Sequence, residues 1–241
     1  MAIIPRPPAA SGVDYPTRDG RPVGESDVHR DRHFDLVQVL RDAFAADPMV
    51  YVSGNLLIFY EPGNKRKHVA PDVFVIRGVP KRQRDNYLVW EEGRAPDLVI
   101  ELTSRSTRKE DLVKKFELYR DVLRVPEYFL FDPRAEYLDP PLQGHRLIAG
   151  RYEHIDPAAG RLPSAVLGLE LEAVGTELRI YDPAARRYLP TTQEITQAFR
   201  QSEAARQQEA AARQRAEADA EGLRRELEEL RRRLGESGGG S

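Results

Sequence analysis

The sequence predicts a mixed α/β fold of the α+β kind: one domain of ordinary size followed by a long charged helix. Three observations predict it. The run Asp-Leu-Val-Ile-Glu-Leu-Thr at 97–103 is apolar at nearly every position, as in a central strand covered on both faces. A helical pattern at 109–122 follows it and leads into a second apolar run, Glu127–Phe131, closed by Asp132-Pro133. From Thr192 to Leu234 the composition turns to Ala, Glu, Arg and Gln without proline. The order of helix, several strands, helix, strand and further strands matches neither a TIM barrel nor a dinucleotide-binding fold.

The elements follow in order. Residues 1–24 are rich in Pro, Gly and charge, and read as a loosely ordered arm. Ser26 and Asp27 are suited to cap a helix running to about Ala46, with Phe34, Val37, Leu40 and Phe44 near one face. Residues 54–61 form a strand candidate before a Pro-Gly-Asn turn, and 72–76 and 87–90 are two more. Residues 143–190 alternate short strand patterns with turn residues, which predicts hairpins packed on the main sheet. The domain is thereby placed at 25–190.

In the last segment, 192–234, Ala216, Ala220, Leu223, Leu227, Leu230 and Leu234 follow the 4-3-4-3-4 spacing of a coiled-coil seam. Glu209 and Arg213 break it upstream. A solvated single helix and a homodimer through this helix both fit. Residues 235–241, ending Gly-Gly-Gly-Ser, read as a flexible tail.

Composition narrows the chemistry. The 241 residues contain no Cys, which excludes a disulfide framework, a thiolate zinc site and a cysteine nucleophile. No apolar run is long enough for a membrane helix, and the first residues lack a signal-peptide pattern, so a soluble cytoplasmic protein without a membrane partner is expected. The net charge of −2 gives no bulk electrostatic footprint of a nucleic-acid binder, although a local basic surface could serve.

Two acidic strands and a lysine are the parts of a metal-dependent phosphodiesterase site. Along the central strand, Asp97, Val99, Glu101 and Thr103 share one face, and Leu98, Ile100 and Leu102 the other. Asp97 and Glu101 lie roughly 13 Å apart at ~3.3 Å per residue, too far to chelate one ion. A metal on Glu101 needs its second carboxylate from a neighbouring strand, and Asp72, stiffened by Pro71, is the natural candidate. Asp72 alone also fits a turn acid, and Glu101 also fits a salt bridge to a helix lysine.

The helix phase selects the lysine. Leu112, Phe116, Tyr119 and Leu123 share a stripe about 60° wide; Lys115 lies roughly 70° from its centre and Lys114 roughly 170°. Lys115 can therefore reach Glu101, whereas Lys114 points to solvent. Asp111 stands one turn before Lys115, as an orienting group or an ordinary i, i+4 pair. Spacing leaves two roles for Lys115, structural ion pair and catalytic cation.

Several stretches together carry a resemblance to a family: 70–81 (Ala-Pro-Asp-Val-Phe-Val-Ile-Arg-Gly-Val-Pro-Lys), 90–102 (Trp-Glu-Glu-Gly-Arg-Ala-Pro-Asp-Leu-Val-Ile-Glu-Leu), Ser-Arg-Ser-Thr-Arg at 104–108, the Asp111, Lys115, Tyr119 set, and Val125-Pro-Glu-Tyr-Phe-Leu-Phe-Asp-Pro. Over roughly residues 25–190 the chain resembles the Uma-two-type restriction endonucleases of the PD-(D/E)xK superfamily. The resemblance implies a restriction-endonuclease-like αβββαβ core with extra C-terminal hairpins and a long C-terminal helix. It implies Asp72 and Glu101 as ligands of Mg²⁺, or of Mn²⁺ in its place, and DNA as substrate, with RNA or single strands open.

The superfamily usually places its lysine two residues after the strand acid. Here Thr103 stands there, and the helix supplies Lys115 instead. Glu25 matches a first-helix acid of the family and is a candidate accessory ligand, though a helix N-terminal acid accounts for it equally. Arg105, Arg108, Lys109 and Arg120 are candidates to hold the phosphate backbone, or form a solvated helix surface. His29 and His68 read as surface or packing residues. Two functions compete: a Mg²⁺-dependent endonuclease, and a catalytically inactive relative acting as a nucleic-acid-binding or oligomeric adaptor. The intact Asp72, Glu101 and Lys115 set favours the first; Thr103 and the net charge favour the second.

Overall fold

The computed structural model describes residues 15–16, 27–104 and 108–237, so the expectations for the N-terminal arm, the Ser26 cap, Glu25, Arg105 and the last four residues lie outside it. The chain divides into two compact units between Thr191 and Thr192.

The first unit is built on a six-stranded sheet. Its strands are β1 (Val50–Ser53), β4 (Val73–Arg77), β6 (Leu98–Leu102), β7 (Glu127–Phe131), β8 (Leu142–Ile148) and β9 (Arg151–His154), adjacent in that order. Only β6 and β7 run parallel within it, and a parallel pair needs a crossover. A helix over 108–122 provides it, π-wound through Glu110–Lys115 and Leu118–Val122. A small sheet joins β2 (Ile58–Phe59) to β3 (His68–Val69) and β5 (Tyr87–Leu88), after which the chain turns through a short helix, α2 (Val89–Glu92). A third sheet contains β10 (Leu162–Ser164), β11 (Leu169–Val174), β12 (Glu177–Asp182) and β13 (Arg187–Tyr188). The fold is thus mixed α/β, with a central mixed sheet, an extra C-terminal antiparallel sheet and a long C-terminal helix.

Alternation along the strands makes two cores. Val73, Val75, Leu98, Ile100, Leu102, Phe129 and Phe131 meet helix α1 (Asp27–Ala43) and the third sheet. Phe74, Ile76, Val99, Tyr128 and Leu130 on the opposite face meet the crossover helix through Leu112, Phe116 and Tyr119. The expected split of the 97–103 faces is therefore the one the fold uses. Glu127, fully buried, joins the layers: it accepts from Arg146 Nη2 at 2.9 Å, from the Ala165 N–H at 2.9 Å and from the Ser164 hydroxyl.

Four details differ from the sequence reading. Phe34 is 64% exposed, and the buried stripe of α1 runs instead through Leu36, Val37 and Leu40. The strand expected over 54–61 shrinks to Ile58–Phe59, while β1 forms upstream. Gly54 explains the break: a Cβ there would stand 2.0 Å from the Asp72 carbonyl oxygen, so the chain is pinched where it leaves β1. The 87–90 strand ends at Leu88, because Val89 and Trp90 turn into α2. The hairpins also part company: β8 and β9 extend the main sheet, and only β10–β13 form a layer against it.

His145 on β8 is buried beside Phe116, Tyr128, Tyr152 and His154. Burial, with the neighbouring His154, pulls its imidazole down to about 4. Neutral His145 is therefore the folded form, while the unfolded chain takes up a proton near pH 6.5. The His145 contribution to stability should be constant above pH 6.5 and fall by about 1.4 kcal/mol per pH unit between 6.5 and 4. Urea titrations of wild type and His145→Gln across that window should show the variant lacking this slope; equal slopes would place the titration elsewhere.

The second unit is helix α3 (Thr192–Ser237), which continues three residues past Leu234 into the expected tail. Leu223, Leu227 and Leu230 are 62%, 54% and 55% exposed on it.

Candidate active site

The site begins with strand register. Antiparallel pairing of Val73 with Ile100 sets Asp72 opposite Glu101 on the same face, and the Asp72 N–H lies 3.4 Å from Glu101 Oε2. Asp72 does more than begin a strand: its Oδ2 accepts from the Leu102 N–H at 2.7 Å and meets His29 Nε2 at 3.4 Å. Burial alone would raise its carboxyl, but His29, Lys115 and the Leu102 amide hold it below the ordinary value.

Glu101 is wholly buried. The crossover helix presents Asp111, Lys115 and Tyr119 at four-residue intervals, and the last two reach it. Lys115 Nζ donates to Glu101 Oε2 at 2.8 Å and lies 3.1 Å from Asp111 Oδ1. The Tyr119 hydroxyl donates to Glu101 Oε1 at 2.6 Å. Thr103 Oγ1 donates to Asp111 Oδ2 at 2.8 Å and also touches the Tyr137 hydroxyl. Burial pushes the Glu101 carboxyl up to about 8 against the pull of Lys115. Burial would lower Lys115, yet Glu101, Asp111 and Asp72 together raise it above the usual lysine range, so it stays charged. The two neighbouring carboxyls are thus shifted in opposite directions, Asp72 down by its donors and Glu101 up by burial.

Asp72, Glu101 and Lys115 converge. Lys115, not Lys114, reaches Glu101, as the helix phase predicts. Lys114 is exposed, yet it lines a cleft of 620 Å³ together with Lys115, Asp111 and His68. Glu110, Glu117 and Asp121 also line this cleft, so carboxylates outnumber cations there. Asp97 takes no part: it accepts from the Arg77 N–H at 2.7 Å and from Arg94 at 3.3 Å, closing the end of the β4–β6 pair. Of the expected phosphate contacts, Arg120 is paired with Asp121 through two bonds of 2.7 Å, and Arg108 lies over the Tyr137 ring. Lys109 is exposed on the first turn of the helix.

Two participants lie beyond the expected catalytic set. His29 is no mere surface or packing residue, and its contact with Asp72 spans 43 positions with no local signal. Tyr119 both packs in the core and bonds Glu101, a role its spacing of four from Lys115 could have signalled.

Among the described residues, no group of three or more His, Asp or Glu side chains could hold a metal. A two-carboxylate site is a different matter. Mg²⁺ is commonly held by one or two carboxylates and keeps several waters, and the hard oxygens of Asp72 and Glu101 suit it. Glu101 Oε1 accepts from Tyr119 alone and retains a second lone pair, whereas Oε2 accepts from both Lys115 and the Asp72 N–H.

The profile of the Uma2 family, described as “Putative restriction endonuclease”, matches residues 7–174. A search of curated proteins finds no match. Among solved structures, “a putative nuclease belonging to DUF820 from Anabaena variabilis ATCC 29413” is similar over 59% of this chain and 75% of its own, at 16% identity and a TM-score of 0.44.

Proposed function

Because the chain belongs to the Uma2 family, we propose that it is a metal-dependent endonuclease that hydrolyses DNA phosphodiester bonds, with Asp72, Glu101 and Lys115 as its catalytic set. The observation that carries this reading is the convergence of two buried carboxylates from adjacent strands with one charged lysine, 2.8 Å from the second of them. Asp72 and Glu101 would hold Mg²⁺ or Mn²⁺, which when bound supplies a Lewis acid for the phosphate and a water of lowered pKa.

The chain's own residues do the rest. Lys115 orients the attacking water and stabilises charge growing on the phosphoryl oxygens. Asp111, braced by Thr103, holds Lys115 from its other side, and Tyr119 fixes the plane of the Glu101 carboxylate. Thr103 thereby contributes as a brace where the superfamily places a lysine. Arg108 and Lys109 hold the DNA phosphate backbone together with Arg105, and Glu25 serves as the accessory metal ligand that the resemblance implies. Arg120, neutralised by Asp121, contributes less.

The excess of carboxylates along the cleft favours a second reading, an inactive adaptor, because a polyanion is repelled there unless divalent cations intervene. One experiment separates the two. Wild-type protein is incubated with supercoiled plasmid in Mg²⁺, in Mn²⁺ and in excess chelator. Nicked or linear product should appear with metal and vanish with chelator. Binding without cleavage in either metal would leave the adaptor, and cleavage confined to RNA or single strands would change the substrate.

A further inference from the structure

We infer that helix α3 is a homodimerisation element whose two copies run parallel and in register through residues 216–230. Leu223, Leu227 and Leu230 stand more than half exposed along a helix otherwise dominated by charge, and with Ala216 and Ala220 they form one stripe at alternating four- and three-residue steps. Such a stripe is covered when a second helix supplies an equivalent one, and its narrowness suits two strands.

The flanking charges choose the orientation. With Ala216, Leu223 and Leu230 at d positions and Ala220 and Leu227 at a positions, the e positions hold Glu217, Arg224 and Arg231, and the g positions hold Asp219 and Glu226. In a parallel dimer each g residue faces the e residue five positions later in its partner. Those pairs are Asp219 with Arg224 and Glu226 with Arg231, opposite in sign both times. An antiparallel pair would set e against e and g against g: Glu217 would meet Arg231, but Arg224 would meet Arg224 and Asp219 would meet Glu226, whereas neither parallel pair is like-charged. Asp219, Arg224, Glu226 and Arg231 make no ion pair within the chain among the described residues. Charges off the seam do pair internally, as Glu221 does with Arg225. Because the helix begins at Thr192, a parallel pair brings both chains into the seam from the same end.

The absence of cysteine makes the test clean. Full-length protein should have dimer mass at tens of micromolar. Ala216→Cys should form a disulfide-linked dimer with itself under mild oxidation; an antiparallel pair, in which a packs against d, would link Ala220→Cys only to Leu230→Cys in a mixture. Glu226→Arg should weaken dimerisation on the order of tenfold, and adding Arg231→Glu should restore it. A monomer at 100-fold higher loading, a trimer, cross-links only in the mixture, or charge reversal without effect would each overturn the proposal.

Discussion

Lys115→Ala should lower metal-dependent cleavage by about 10²–10³-fold, the loss typical of removing one group that stabilises transition-state charge. The cation lies 2.8 Å from Glu101 and 3.1 Å from Asp111, and both carboxylates hold it charged. Removing one partner of a buried pair often costs ~3–5 kcal/mol. The expected stability loss lies at the low end, because burial already pushes the Glu101 carboxyl up to about 8 and it can take a proton instead of standing unpaired. Lys114→Ala removes an exposed charge that makes no contact with Glu101, and should change the rate only slightly while shifting its salt dependence. Metal binding should survive in both variants. Equal losses from the two, or a Lys115→Ala enzyme at wild-type rate, would remove Lys115 from the mechanism.

Gly54→Ala should have the largest effect on the fold for the smallest change in mass. The added Cβ would stand 2.0 Å from the Asp72 carbonyl oxygen and 2.5 Å from His33 Nε2. The first neighbour is backbone and cannot rotate away, so β1 and the segment entering β4 must separate. Overpacking of this kind costs roughly 3 kcal/mol or more, about 6–12 °C in melting temperature for a unit of this size. Because the displaced segment carries Asp72, activity in the surviving folded fraction should fall as well. A thermal melt within a degree of wild type would show that the pinch is not rigid.

Much of this architecture is legible from local pattern. The strand at 98–102, the crossover helix and the strand at 127–131 each carry enough apolar periodicity to be found, since burial on one or both faces leaves a repeat of its own. The pairing of Lys115 with Glu101 is legible for the same reason: strand alternation and helix phase are geometric, and the two elements are consecutive. Short elements were harder. Neither β1 nor the true extent of β2 stands out in the sequence, because four-residue and two-residue strands carry little periodicity and the Gly54 pinch depends on a contact 18 positions away.

The sequence by itself determined the chemistry available: carboxylates and lysine without cysteine, on a strand–helix–strand unit. Only the tertiary structure decided how those groups are held. The contact of His29 with Asp72, the Tyr119 bond to Glu101 and the bracing of Asp111 by Thr103 depend on the spacing between elements, which no local pattern encodes. So does the separation of the two carboxyls, Asp72 lowered by its donors and Glu101 raised by complete burial. Periodicity says which face a residue occupies; desolvation and hydrogen bonding depend on what the rest of the chain brings to that face.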